Sequence, residues 1–570
     1  MSEARDSTSG PVSFYRRHYV SLIQAGLVLA VWFGACARAA HDFWSASVEF
    51  ALATTLACAF LAGRMLDDKP IRLPLLAPVG AFLTAVALSF RGAYDHNTTF
   101  FEIWIWVFSF VMTFLFVNVV ETSTDLERVL TACSVGLIPL AVKLASFLAL
   151  GSELRKVLVI PNIWAQLAVV GLLLATFYAA LFFIVLVVEK RDSPRMRAFF
   201  LAVFGAHVAI LLFTQRTMRA ESENPLINNN VLVGFALCWF FVLWKKVFER
   251  RAWLALFLPC CFILITERSW WAYVSIMAGF LVYYRSFVEE AAARHKRDFG
   301  LSVTIAAAVL TMIIGVKASQ RTPMIFGGSR FLWWSSAVRM FVSAPWTGVG
   351  AGGFGTAYPF FKVGHVDNTI HAHSFPLQLL AETGVAGAAA ASYLAWSWWK
   401  RAAGARGNEP IRRVVCATLT AVLLFAGIHI TLEYFLNKLT LLFLFGALLM
   451  GRDLPSRRIK PLYLAAAAAG LLLMIPYWLA LYSSSALYMS GREAQASGDR
   501  VKAVELFKDA LTLDPTNADC DFALAAIELE KFKKSGSAED LTESRRRFQD
   551  GLCQKRDYGV IMRRAASGMP

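Results

Sequence analysis

Charge is what this sequence has least of. Only 17% of its 570 residues are charged, 57% are hydrophobic, and the mean hydropathy is +0.53. A soluble globular chain of this length needs a charged surface, so that balance excludes one and leaves a polytopic membrane protein. Acidic residues are the scarcer sign, 40 against 56 basic ones, for a net charge of +16. No basic run is interleaved with aromatics in a soluble segment, which excludes nucleic acid as a partner. The nine cysteines contain no C-x-x-C and no Cys/His metal spacing. Most sit inside apolar runs, the Cys260–Cys261 pair among them, and read as small packing residues. Paired halves are also missing from the hydropathy, which argues against the repeat construction of many transporters.

What is present is a succession of apolar spans. They lie near 18–40, 44–63, 73–90, 102–120, 130–150, 163–188, 198–214, 231–245, 252–266, 270–284, 301–317, 375–397, 413–434, 436–450 and 461–482. Several are shorter than the roughly 20 residues of a straight crossing, so about 12–15 transmembrane helices are expected, some of them re-entrant or paired. Arg16 and Arg17 precede the first span, which reads as an uncleaved signal anchor. With the tail 1–17 in the cytoplasm, the connections Arg64–Arg72, Lys190–Arg197, Lys245–Arg251, Arg285–Arg297, Lys400–Arg413 and Arg452–Lys460 share its side. All are rich in Lys and Arg, as cytoplasmic loops are. The expected fold is therefore all-α, a polytopic inner-membrane protein with transmembrane helices over 18–317 and 375–483. A large periplasmic loop spans 318–374, and a periplasmic helical-repeat domain spans 484–570.

The chemistry gathers at HVDNTIHAHSFPLQLLAETGVAG, residues 365–387, which holds His365, His371 and His373. A lone histidine beside an apolar span is usually a satisfied structural residue. Here His373 and Ser374 are followed by nine residues, Gly384, two more and Gly387. On the same outer side fall Arg155, Lys156, Arg216, Arg219, Arg268, Arg321, Arg330 and Arg339. Singly, each reads as an interface anchor. Together they form a cationic cluster, and arginine's planar fork suits phosphate oxygens. Lys143, inside an apolar span, either points into the same cavity or pairs with a neighbour such as Glu433. Gly348, Gly350 and Gly353 spell G-x-G-x-x-G, but no strand precedes them and no βαβ unit surrounds them. They read as a flexible, close-packing loop that brings backbone to substrate, or as an ordinary glycine turn.

The His373–Gly387 spacing is H-[NSQ]-x9-G-x-x-[GTY]. With the upstream passage GSRFLWWSSAVRMFVSAPWTGVGAGGFGTAYP (328–359), it resembles the bacterial O-antigen ligase family over roughly residues 205–450. The resemblance implies a transferase that moves a glycan from undecaprenyl diphosphate to a periplasmic acceptor, lipid A–core first among them, with inversion and without metal or cofactor. By the same match His373 is the catalytic base. Arg268, in TERSWWAY, is similar to the family's S-R-x-x-W arginine and acts with it. His371 supports, and Arg216, Arg219, Arg330 and Arg339 bind the diphosphate. Glu382 orients the site or pairs with an arginine. The residues themselves agree, because such a transfer needs a base for the acceptor hydroxyl and cations for the departing diphosphate. The loop 318–374 has no D-x-D to hold magnesium. Polysaccharide polymerases and protein O-oligosaccharyltransferases share this core. Arg339–Gly350 and Arg268–Gly279 both fit the polymerases' loose R-x10-G spacing. A lipid-linked glycan transporter or flippase would use the same cationic cavity without chemistry.

After Ser484 the composition turns polar and helical. Gly491, Ala503, Phe507, Ala510 and Pro515 fall at positions 8, 20, 24, 27 and 32 of a tetratricopeptide repeat. Leu524 and Ala525 begin a second, irregular unit. Such a tail is an interaction module for a protein partner, and a scaffold built around it is the third reading of the chain. Cys520 and Cys553 either pair in an oxidising compartment or are merely buried.

Overall fold

A computed structural model describes residues 11–37, 43–142, 201–202, 205, 229–266, 269–285, 328–364, 369–403, 410–429, 431–450 and 454–554. These are almost entirely helical, as expected. The helices are α1 (Pro11–Cys36), α2 (Phe43–Asp67), α3 (Leu76–Leu88), α4 (His96–Val119) and α5 (Ser123–Ser134). There follow α6 (Asn229–Glu249), α7 (Leu254–Thr266), α8 (Trp270–Tyr283), α9 (Gly328–Ser343), α10 (Phe354–Phe361) and α11 (Phe375–Ala403). The chain closes with α12 (Pro410–Ala426), α13 (Phe435–Leu448), α14 (Pro461–Leu472), α15 (Met474–Ala496), α16 (Arg500–Leu513), α17 (Ala518–Ser535) and α18 (Ala538–Gln554). Two-residue strands β1 (Ile71–Arg72) and β2 (Ser456–Arg457) pair antiparallel. Among the described residues five helical segments are long and apolar enough to cross a membrane, so the chain is an all-α polytopic membrane protein.

In lipid, helices associate through close van der Waals contact rather than exclusion of water. The centre of the bundle shows it. Phe50 of α2 stacks on Phe108 of α4 at 4.7 Å and meets Trp478 of α15 edge-on at 5.1 Å. Two polar residues inside the bundle are bonded to backbone. Buried Arg64 donates to the Asn118 carbonyl at 3.0 Å, and the Asn118 side chain bridges to the Arg72 backbone at 2.8 and 2.9 Å.

The bundle has two chemically different ends. One gathers Arg64, Arg72, Lys400, Arg401, Arg457, Arg458 and the Lys245–Lys246 pair, which binds Glu127 and Glu249. The other carries the histidine turn, α9 and α10. There Tyr94 N–H donates to Val349 O at 3.0 Å, just ahead of α4. The tail joins this second end, because Asn97 Nδ2 donates to Thr516 O at 3.2 Å.

The start of the span expected at 130–150 falls in α5, a helix of 12 residues whose start is fixed by a Thr122–Asp125 capping box. A buried helical stretch resumes at 137–142, and 143–150 lie outside the described residues. The boundary expected at 484 falls inside α15, which runs on to Ala496. No glycine or proline interrupts Ser483–Ser485, so nothing in the sequence stops the helix there. The expected spans at 163–188 and 301–317 and most of 198–214 lie outside the described residues. In the tail, Ala503, Phe507 and Ala510 are buried, and a Cβ at Gly491 would come within 2.6 Å of the Phe507 ring. Cys520 is a buried free thiol there, and the Cys553 side chain lies outside the described residues. The tail's own D-x-D, Asp519 to Asp521, is engaged within it, since Asp521 pairs with Arg547 at 3.3 Å.

Candidate functional site

The site is assembled where a tight turn feeds α11. Thr369 Oγ donates to His371 O at 2.8 Å and accepts from His371 N–H at 3.2 Å, folding the chain back on itself. His373 then takes a left-handed backbone (φ 55°), uncommon outside glycine and costly enough to mark positions that function over-determines. Two residues later the helix starts. Its residues Gln378 and Glu382, one turn apart, share a face.

Those two side chains tie three pieces of backbone together. Ala372 N–H donates to Gln378 Oε1 at 3.0 Å, and Gln378 Nε2 donates to Glu382 Oε1 at 3.0 Å while lying 3.2 Å from His371 Nδ1. The Glu382 carboxylate also accepts the backbone N–H of Gly352 at 2.9 Å and of Phe354, first residue of α10, at 3.2 Å. The histidine turn is thus bonded, through two buried side chains, to the glycine-rich loop. Among the described residues the Glu382 partners are amides and not an arginine, an arrangement that fits the orienting reading.

The glycine loop is closely packed, as expected. Residues 348–351 are buried, and their close approach is to protein rather than to open space. A Cβ on Gly348 (φ 68°) would sit 2.2 Å from the Glu382 carbonyl carbon. The motif glycine Gly384 breaks α11 with φ 63° and ψ −163°, and the freed Val385 N–H donates to Pro345 O at 2.8 Å. The helix break and the P-x-x-G-V-G loop are one interlocked unit.

Around His373 the surroundings are aromatic and cationic. Its ring stacks on Trp333 of α9 at 4.6 Å. Arg330, in the first turn of α9, is half-buried and lies 3.4 Å through Nη2 from His429 Nδ1. His429, in the connection between α12 and α13, stacks on Phe425 at 4.4 Å. Burial first, and the Arg330 charge second, lower the His373 pKa from 6.5 to about 4. The imidazole is therefore neutral at pH 7, and its buried Nδ1 has no hydrogen-bond partner among the described residues. Beneath the site, Lys438 forms an ion pair with Glu102 and lies 4.7 Å over the Trp106 ring. It is also the cation facing Glu433. Lys143, the alternative partner considered for Glu433, lies outside the described residues.

Of the residues singled out by sequence, His371, His373 and Arg330 come together. Arg339 does not. It is exposed and nine residues beyond Arg330, half a revolution round α9 at 100° per residue. Arg216, Arg219 and Arg268, with Arg155, Lys156, Arg321 and His365, lie outside the described residues. Two members were missed. Gln378 was legible as a polar residue one helical turn before Glu382. His429 was hidden inside what reads as a single apolar span, 413–434, whose helix the structure ends at Ala426.

A pH experiment follows from the Arg330–His373 pair. A histidine with a lowered pKa stays proton-free until the pH falls through that value, so kcat/KM, which reports the ionisations of the substrate-free protein, should survive down to about pH 4 to 5. Removing the cation in Arg330→Met should move that acid limb upward, toward the 6.5 of a free imidazole. A pH–rate profile of the variant with an unmoved limb would show that Arg330 does not set the His373 proton equilibrium.

Comparison with known proteins adds one result. Residues 230–392 match the family profile described as O-antigen ligase, a stretch that takes in α6 to α10, the histidine turn and the first half of α11. No curated protein and no solved structure matches the chain. With the motif, its glycine-locked geometry and the profile in agreement, residues 230–392 form an O-antigen ligase family domain, the glycosyltransferase-type core of a polytopic membrane protein.

Proposed function

We propose that the chain transfers a glycan from undecaprenyl diphosphate to a periplasmic acceptor, with lipid A–core as the preferred acceptor. His373 is the base. It takes the proton of the acceptor hydroxyl as that oxygen attacks the anomeric carbon, and the bond from that carbon to the diphosphate oxygen breaks on the opposite face, giving inversion. The diphosphate leaves with the electron pair, its charge held by Arg330 and, from the family match, by Arg268, Arg216 and Arg219. His371 and Glu382 act as positioning residues through Gln378. The observation that carries this reading is a neutral imidazole, free at Nδ1 among the described residues, beside a half-buried arginine at the turn where the family motif begins.

The low pKa of His373 fits the proposal once substrate is considered. A bound diphosphate neutralises the Arg330 charge and so removes one of the two causes of the depression, raising the basicity of the imidazole only when there is a glycan to transfer. The tail, read as tetratricopeptide-like, is proposed to recruit a protein partner at the same end.

Glycans of a deletion strain separate the ligase from its relatives. The proposal expects lipid-linked polymer to accumulate beside lipid A–core that carries none. Single repeat units on lipid A–core would mean a polymerase, and loss of a glycoprotein with intact lipopolysaccharide would mean a protein transferase.

A further inference from the structure

A cavity of about 520 Å3 opens at the basic end of the bundle, between the start of α3, the last turns of α11 and the strand β2. Leu73, Leu76 and Trp396 form its apolar wall, and Lys400, Arg401 and Arg457 its cationic one. No Asp or Glu lines it. Among the described residues none of these three cations is paired with a carboxylate, whereas Arg458 next to them takes Asp68 at 3.6 Å. Three like charges gathered round one cavity repel each other unless an anion lies between them. The backbone adds to the field. Leu75 adopts a left-handed conformation (φ 55°) and starts α3 without a side-chain cap, so the positive end of that helix faces the same space.

The apolar wall points to what kind of anion this is. Leu76 and Trp396 are 66% and 63% exposed, so apolar surface continues outward from the cationic wall. A soluble phosphate has no use for that surface, and an acyl chain does. Tryptophan at the level of basic residues is also the usual marker of a membrane–water interface. α4 runs unbroken from His96, beside the glycine loop, to Val119, beside β1. Its 24 residues span about 36 Å at 1.5 Å per residue, so this cavity and the histidine site are at opposite membrane surfaces. We propose that the cavity binds one anionic phospholipid of the leaflet opposite the histidine site. Lys400, Arg401 and Arg457 hold its phosphate, and its chains lie along Leu76 and Trp396.

The test uses the full-length chain purified in detergent and native mass spectrometry with phosphatidylglycerol, phosphatidylcholine or inorganic phosphate. The expected result is one retained phosphatidylglycerol, with affinity about 100-fold lower in Lys400→Gln/Arg401→Gln/Arg457→Gln. A control variant, Arg250→Gln/Arg251→Gln/Arg412→Gln, removes the same charge from exposed or half-exposed positions off the cavity and should retain the lipid. Equal retention of phosphatidylcholine would overturn the proposal, as would equal loss in the control, which would reveal a diffuse surface potential. Displacement of the lipid by millimolar inorganic phosphate would reassign the cavity to a soluble anion. Should the triple variant fold poorly, Arg401→Gln alone must show a partial loss in the same direction.

Discussion

His373→Ala is expected to lower glycan transfer by about 10²–10⁴-fold, the range that a positioned general base contributes, while the protein still inserts and folds. The ring is an end member of the site rather than a strut. It stacks on Trp333 on one side, and its buried Nδ1 bonds to no described residue, so truncation removes a proton acceptor without unmaking a hydrogen-bond network. The left-handed backbone at this position tolerates alanine no better than histidine, and a modest loss of thermal stability is expected besides. A structural histidine gives another pattern, in which folded protein is lost but whatever survives has normal specific activity. Turnover per folded molecule, measured on purified wild type and variant, distinguishes the two.

Gly384→Ala is expected to do more damage to the fold than any other single methyl addition in the motif. The φ/ψ of Gly384 is a region open essentially to glycine alone, where strain costs about 1–3 kcal/mol. The new Cβ would also lie 2.5 Å from the Trp346 carbonyl carbon and 2.7 Å from Pro345 O. Both are backbone atoms and cannot rotate away. The P-x-x-G loop must therefore shift, and with it the amides that hold Glu382 and, through Gln378, the histidine turn. A displacement of about 1 Å in a catalytic constellation is enough for about 100-fold in rate. Gly387→Ala is the comparison, because Gly387 has no left-handed φ. Its new Cβ would meet Thr383 of its own helix, 1.8 Å from Oγ1 and 2.3 Å from Cβ, a clash that needs a local shift of that turn rather than displacement of the P-x-x-G loop. Thermal unfolding and transfer rate should place Gly384→Ala well below Gly387→Ala. Equal behaviour would mean that the helix break is not what the motif's first glycine is for.

Much of this was legible before any coordinates. The apolar spans announced an all-α membrane protein, and the spacing from His373 to Gly387 announced the family. What spacing cannot convey is which surfaces those residues face. The glycine run 348–353 read either as a close-packing loop that brings backbone to substrate or as an ordinary turn, and spacing did not say that its glycines approach Glu382 and Ala93. Arg339 and Arg330 looked equivalent in sequence, and helical geometry sends them to opposite faces of α9. His429 was invisible because hydropathy averages over the end of α12 at Ala426. Glu382 illustrates the opposite case. Its position in an apolar helix already implied partners, and the two amides and Gln378 are the kind of partners that a buried carboxylate requires.

The central claim is that this chain itself breaks the bond between a glycan and a polyprenyl diphosphate, with His373 as the base. It is tested most directly by incubating the purified full-length protein with an undecaprenyl-diphosphate-linked glycan and lipid A–core in the presence of EDTA. The expected result is glycosylated lipid A–core and free undecaprenyl diphosphate in equal amounts from the wild type, with His373→Ala reduced to about 1% or less. An unchanged donor in the wild-type reaction, full activity in the variant, or activity abolished by the chelator would each contradict it.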